Sequence, residues 1–239
     1  MKPGKRPDIL VPFKNAFSGV VYTFRTQRHM RFHIYVVIIV LLLGTWLNLG
    51  LREVLVLLFT VSLVMVAEMF NSAIEATVDL VSPNYHPLAK FAKDIAAGAV
   101  LITTFIALVV GALLILGENR WEEIRTSLTA TQPALNVVPR LLIGMLALFF
   151  AVVIGKGLGK RGEVMRGGLV SGHSAYSFFI ASAIVWMSNS IVITSLAIML
   201  ACIVAQSRWE AKIHSIFEVT LGAAVGVAFA ALLFGLLPK

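Results

Sequence analysis

Seven apolar stretches divide the chain, near residues 33–50, 53–74, 94–117, 139–155, 173–188, 190–206 and 218–237. Their lengths and lack of charge predict membrane-spanning helices. Ahead of the first, residues 12–32 carry Phe13, Phe17, Val20, Val21 and Phe24 at helical spacing, with Lys14, Arg25, Arg28 and Arg31 interleaved. That pattern predicts an amphipathic helix on a membrane surface. The first apolar run begins well inside the chain and lacks a small-residue cleavage signature, so it is expected to be a retained span and not a signal peptide. Residues 118–138 form a long polar stretch with Pro133 and Asn136, and they predict a boundary between a three-span front and a four-span back. The expected units are residues 1–118, a linker at 119–138, and residues 139–239; no internal repeat relates the halves.

One span breaks the apolar pattern. Residues 60–80 carry Glu68, Asn71, Ser72, Glu75 and Asp79. At about 100° per residue the four named from Glu68 to Asp79, Ser72 apart, fall at roughly 0°, −60°, −20° and +20°, one narrow stripe. Carboxylates in or at the edge of a bilayer are costly, so such a row points to function, and holding a cation against a substrate is the task it suits.

Composition agrees: 59% of the 239 residues are hydrophobic and 13% charged, with mean hydropathy +0.90. The expected fold class is all-α, a polytopic integral membrane protein. The net charge of +8 sits beside spans, where it orients the chain and meets anionic lipid, so nucleic acid is not the expected partner. With the amino terminus inside, fifteen Lys and Arg residues fall on the cytoplasmic side against five outside: Arg52, Arg120, Arg125, Arg140 and Lys239. The positive-inside rule then puts the loops at 75–94, 156–172 and 207–214 on the cytoplasmic face. Cys202 is the only cysteine, so no intrachain disulfide forms and compartment cannot be read from it.

After the stripe, Pro83 and Pro87 end the helix and shape a short turn, and Lys90, Lys93 and Asp94 open the next span. Carboxylates near ammonium groups at a water interface suit a Mg²⁺–phosphate complex, because Mg²⁺ takes one or two carboxylates plus phosphate oxygens and lysine attends phosphate. A carboxylate of the stripe can also take a proton from an attacking hydroxyl. A polar network joining helices and a cation-conducting channel or transporter fit the same residues.

The run EMFNSAIEATVDLVSPNYHPLAKFAKDIAAGAVLI, beginning at Glu68, resembles the signature of the prokaryotic diacylglycerol kinase family, and more closely its undecaprenol kinase branch, over roughly residues 8–117. The resemblance implies a three-span, homotrimeric lipid kinase of the bacterial cytoplasmic membrane, using ATP and Mg²⁺. It implies Glu68 as base for the lipid hydroxyl, Asn71 near the phosphate, Glu75 as metal ligand, Lys93 and Asp94 as nucleotide contacts, and Asp79 in support. The family's surface helix offers a glutamate to the metal where this chain has Gln27, a weaker ligand.

The run Gly155-Lys156-Gly157-Leu158-Gly159-Lys160 is not a phosphate-binding G-x-x-x-x-G-K-[ST] loop: its spacing is one short and Arg161 replaces the hydroxyl. It reads as a flexible basic interfacial loop.

The back half has three polar islands: Lys160 to Arg166, Ser171-Gly172-His173, and Ser207-Arg208 to His214 with Glu218. His214 and Glu218, i and i+4, are expected on one helix face, where the carboxylate orients the imidazole. Cations without paired acids indicate an oxyanion. Val170-Ser171-Gly172-His173 and Ser207-Arg208-x5-His214-x3-Glu218 resemble the second and third motifs of the type 2 phosphatidic acid phosphatase superfamily, over roughly residues 140–237. That resemblance implies His214 as nucleophile through a phosphohistidine, His173 as acid to the leaving oxygen, Arg208, Arg166 and Lys160 on phosphate oxygens with Ser171 and Gly172 beside them, and Glu218 orienting His214. Lys160 and Arg166 are one residue closer than the motif, Gly167 and Val170 replace prolines, and Glu218 replaces aspartate, a change expected to misplace the imidazole by about 1 Å.

The combined expectation is a bifunctional membrane lipid enzyme acting on a polyprenol in preference to diacylglycerol, and on a lipid phosphate or pyrophosphate, with both sites on the cytoplasmic face. Alternatives are a diacylglycerol kinase joined to a phosphatidate or phosphatidylglycerophosphate phosphatase, and a kinase with an inert phosphatase-like scaffold.

Overall fold

The computed structural model describes residues 10–47, 49–116, 122, 125–126, 137–159 and 168–235. Among these every regular element is helical. The order is α1 (Leu10–Thr26), α2 (Arg28–Trp46), α3 (Leu51–Val81), α4 (Pro87–Leu116), α5 (Val137–Leu158), α6 (Gly172–Met187), α7 (Ile191–Glu210) and α8 (Ile216–Ala230), the last running into a π-helical turn over Ala231–Gly235.

Six helical stretches among the described residues are long and apolar enough to cross a membrane: α2, α3, α4, α5, α7, and α8 with its π turn. The chain is a polytopic helical membrane protein. Seven spans were expected; α6 occupies the expected fifth but has 16 residues, about 24 Å of helix against a hydrocarbon thickness of about 30 Å. Conversely, α3 has 31 residues and α4 has 30, about 45 Å each, so their polar ends project past the hydrocarbon. Pro87 opens α4, where its missing N–H removes only a donor that the helix leaves unpaired anyway.

The expected surface helix over residues 12–32 is two helices. Gln27 has an extended backbone (φ −99°, ψ 121°) and begins α2, and Arg31 Nη1 donates to Arg25 O at 3.1 Å, satisfying a carbonyl that the broken helix leaves free. Nor does α1 merely rest on the bilayer. Phe13 is 72% exposed, but Val21 and Phe24 are 0% and 1% exposed. They join Met30 and Ile34 of α2 and Ile143, Ala147 and Val153 of α5 in one apolar cluster. Front and back therefore share a core.

A second correction concerns residues 155–159. They are not a flexible loop: α5 continues through Leu158, and Gly155, Lys156 and Gly159 are buried. Small residues permit this. A Cβ at Gly157 would lie 2.1 Å from Phe24 Cδ1, and one at Gly159 would lie 2.4 Å from Gly168 Cα. Elsewhere in the back half, α8 approaches α6 through Gly222 and Gly226, where a Cβ would lie 2.5 Å from Ser171 O and 2.2 Å from Ala175 O.

Candidate functional site

The first part of the polar stripe of α3, Glu68 to Ser72, faces into the protein, while Glu75 is half-buried and Asp79 exposed. Glu68 is 2% exposed and Asn71 and Ser72 are each 8% exposed, in line with buried Val64 and Met65; α3 packs against α4, α2 and, more lightly, α1. Asn71 Nδ2 donates to Glu75 Oε1 at 3.1 Å. Asn71 Oδ1 and Ser72 Oγ are buried with no hydrogen-bond partner, an arrangement that ordinarily calls for a ligand or water. His29, at the start of α2, lies within electrostatic reach of Glu68. Gln27 is half-buried at the α1–α2 corner two residues earlier.

Further along α3, Asp79 pairs with Lys93 Nζ of α4 at 2.5 Å. This pair borders a cavity of about 310 Å³ at the α3–α4 turn, with Ser82, Tyr85, His86 and Lys90 also on its wall. Asp94 is exposed at the same end. The structure thus divides the stripe into two parts. Glu68 and Asp79 are eleven residues apart, about 16 Å along the axis, so Glu68, Asn71 and Glu75 form one cluster and Asp79 with Lys93 another.

Among the described residues no three His, Cys, Asp or Glu side chains gather to hold a metal. Mg²⁺ does not require such a cage, because phosphate oxygens and water complete its shell. Glu75 and the unpartnered Asn71 Oδ1 on one turn of α3 are donors of the right kind.

In the back half, five elements converge. His214 Nδ1 lies 2.7 Å from Glu218 Oε2, but the two do not share a helix face as expected. His214 precedes α8; Ser215 is its N-cap, and Glu218, at the third helical position, accepts from Ser215 N at 3.3 Å while Ser215 Oγ accepts from Glu218 N at 3.3 Å. This is a capping box, which takes Glu or Gln at that position. Glutamate therefore caps the helix and holds the imidazole with one carboxylate, so the longer side chain still reaches His214.

The backbone before His214 turns through Lys212 (φ 52°), and the His214 and Ile213 amides both donate to Arg208 O at 3.3 Å, which fixes His214 to the end of α7. Ser171 N donates to Glu218 O at 2.9 Å, and Ser174 Oγ donates to Val219 O at 2.7 Å, so the Ser171-Gly172-His173 segment is tied to the first turn of α8. Ser171 Oγ is buried and unpartnered. His173 lies within electrostatic reach of Arg208 and His214. Burial pushes the His214 imidazole below the ordinary range, against the opposing pull of the Glu218 carboxylate. Lys160 and Arg166 lie outside the described residues. A cation the sequence reading passed over stands here instead: Lys156, 5% exposed, within reach of His173, His214 and Glu218. An ammonium inside an apolar helix was the available signal.

Comparison with known proteins covers the front half. Residues 14–115 match the prokaryotic diacylglycerol kinase family. Over 104 residues the chain is 38% identical to the undecaprenol kinase of Bacillus subtilis, covering 44% of this chain and 85% of that protein. It belongs to the prokaryotic diacylglycerol kinase family. A diacylglycerol kinase of Synechocystis is 46% identical over 111 residues, 46% of this chain and 63% of that protein. The diacylglycerol kinase of Escherichia coli is 37% identical over 79 residues, 33% of this chain and 65% of that protein. For those two relatives the chain spans slightly less than two thirds of their length. No solved structure matches. The kinase-family match contains the whole α3 stripe and the α3–α4 turn, and it ends before α5, so the back-half constellation lies outside it.

Proposed function

We propose that the front half transfers the γ-phosphate of ATP to a lipid alcohol. The buried Glu68 beside Asn71 and Glu75, inside the kinase-family segment, carries this reading. Glu68 is the one carboxylate of the stripe wholly withdrawn from solvent, suited to accept the proton of an alcohol whose tail lies in the bilayer. Asn71 holds Glu75 and keeps its own carbonyl oxygen unpartnered, an acceptor or ligand for the groups that bind there. Mg²⁺, held by Glu75 and the nucleotide, would neutralise phosphate charge there; Gln27 adds at most a neutral ligand. Lys93, Asp94 and Asp79, at the open α3–α4 end, take the nucleotide. The family's trimeric assembly and a cytoplasmic amino terminus belong to the same proposal. A polyprenol is the favoured acceptor, supported by the coverage of the Bacillus protein, with diacylglycerol the competitor. The full-length protein in vesicles, supplied with labelled ATP and each alcohol in turn, should label the polyprenol faster; faster labelling of diacylglycerol would reverse that preference.

A second activity is supported by the His214–Glu218 contact: hydrolysis of a lipid phosphate or pyrophosphate in the back half. His214 attacks phosphorus as its Nδ1 side is held by Glu218, the P–O bond to the leaving group breaks, and His173 protonates the departing oxygen. Water then cleaves the phosphohistidine. Arg208, with Ser171 and the backbone at Gly172, faces the phosphoryl oxygens, as do Lys160 and Arg166 in this reading. The two sites flank the α1–α2 corner, where His29 reaches Glu68 and Arg25 bonds to the end of α5. One membrane face would then serve both: the kinase salvages polyprenol while the hydrolase trims newly made pyrophosphate. Phosphate release from polyprenyl pyrophosphate that disappears in His214→Ala supports this reading, and release that persists refutes it.

A further inference from the structure

Arg25 lies in the last turn of α1, in the kinase half, yet the hydrogen bonds of its side chain go to the back half. Nη2 donates to Lys156 O at 2.6 Å and to Gly159 O at 3.0 Å, carbonyls at the end of α5 that helix geometry leaves without intrahelical donors. Its own carbonyl accepts from Arg31 Nη1 at 3.1 Å, across the break at Gln27. One residue therefore ties together the end of α1, the first turn of α2 and the end of α5. Phe24 closes the same junction: it is 1% exposed, and a Cβ at Gly157 of α5 would lie 2.1 Å from its Cδ1 and 2.4 Å from its Cε1.

The corner held in this way is the segment that meets the polar stripe. His29 lies within electrostatic reach of Glu68. Phe24, Met30 and Ile34 share an apolar cluster with Val153 of α5 and with Met65 of α3, about one turn before Glu68, and Met69 packs against that cluster. Apolar packing is thus continuous from α5 to the turn of α3 that carries Glu68. Close-packed interiors have little void in which to absorb a displacement, so they transmit it. The Asp79–Lys93 pair stands apart from this path, about 16 Å from Glu68 along the axis of α3.

We propose that Arg25 is a positioning residue for phosphoryl transfer: by docking the α1–α2 corner on α5 it sets that corner against Glu68, so that the kinase site is aligned only while the back half is in place. The proposal rests on the front half being the lipid kinase described above. It gives the second half of the chain a part in the first reaction that is independent of any hydrolysis there. A guanidinium suits the task, since its fork reaches two carbonyls at once, and an ammonium is a single point donor.

The test is single-turnover transfer from γ-labelled ATP by the full-length protein in vesicles, with the alcohol, polyprenol or diacylglycerol, that the unaltered protein labels faster. With protein in saturating excess over the nucleotide, loss of some folded protein leaves the first-order rate constant unchanged, and misalignment of the site lowers it. Arg25→Ala and Gly157→Ala, one on each side of the junction, should each lower the rate constant about tenfold or more, because misplacement on the order of 1 Å can cost about 10²-fold. Arg25→Lys should recover part of the loss. Gly226→Ala overpacks α8 against α6 away from this junction; it should lower the thermal midpoint and leave the rate constant within about twofold. An unchanged rate constant in Arg25→Ala or in Gly157→Ala, or an equal fall in Gly226→Ala, would overturn the positioning role and leave the kinase reading intact. Absence of transfer to either alcohol by the unaltered protein would refute the kinase reading itself and the proposal with it.

Discussion

Asn71 Nδ2 donates to Glu75 Oε1 one helical turn away, at 3.1 Å, while Asn71 Oδ1 stays buried and unpartnered. The amide thus fixes the carboxylate and presents an acceptor or metal ligand of its own. Asn71→Leu removes both functions while keeping the same number of side-chain heavy atoms. Phosphoryl transfer should fall by about 10²-fold or more, because loss of positioning on the order of 1 Å has that cost, and the thermal midpoint should fall little. Steady-state kinetics beside a melting curve separates the two effects.

Gln27 gives a test in the gaining direction. If the α1–α2 corner borders the metal site, Gln27→Glu adds a charged oxygen ligand, and the Mg²⁺ concentration for half-maximal phosphorylation should drop; Glu75→Gln should raise it. A Mg²⁺ titration of the three proteins measures both shifts. No change in either variant would remove these positions from the metal site.

The pH dependence of hydrolysis follows from His214. Burial lowers its pKa and Glu218 partly restores it, so the acidic limb of the rate profile should lie below the ordinary imidazole value of about 6.5. In Glu218→Gln the charge that favours the imidazolium is gone, and the limb should move to still lower pH while the maximum rate falls. The linkage has the same sign: between the folded and unfolded pKa values the unfolded chain binds the extra proton, so His214's contribution to stability is present above about pH 6.5 and is lost as pH falls through the folded value. A pH–rate profile and melting curves across that window check both.

Close packing of α6 on α8 should be unforgiving. A Cβ at Gly226 would meet Ala175 O at 2.2 Å and Phe179 N at 2.9 Å, both backbone atoms, so Gly226→Ala should destabilise the back half by about 1–3 kcal/mol through overpacking. Thermal unfolding of the variant tests this; an unchanged midpoint would mean that the two helices separate freely.

Much of this was legible in the chain. The hydrophobic runs located seven of the eight helices, because periodicity and length suffice where lipid is the solvent, and the stripe from Glu68 to Asp79 stood out because carboxylates there are costly. The break at Gln27 was not legible: Phe17 to Phe24 and the arginines after them keep helical spacing across it, and the contacts made there, Arg25 on the carbonyls of α5 and Arg31 on Arg25 O, are tertiary or lie across the break. Lys156 was hidden by its glycine neighbours, which read locally as a loop but are small because Phe24, Val170 and Gly168 crowd them. Glu218 looked like a defective aspartate, and only the capping box with Ser215 shows why the longer side chain fits.

Glu68 remains the residue on which the kinase reading turns. Single-turnover transfer from γ-labelled ATP to polyprenol, by the purified full-length protein and by Glu68→Gln, measures its role directly. We expect label in the lipid with the unaltered protein and a loss of at least about 10³-fold in the variant, with ATP binding retained. Transfer by Glu68→Gln at a rate near that of the unaltered protein would contradict Glu68 as the base for the lipid hydroxyl.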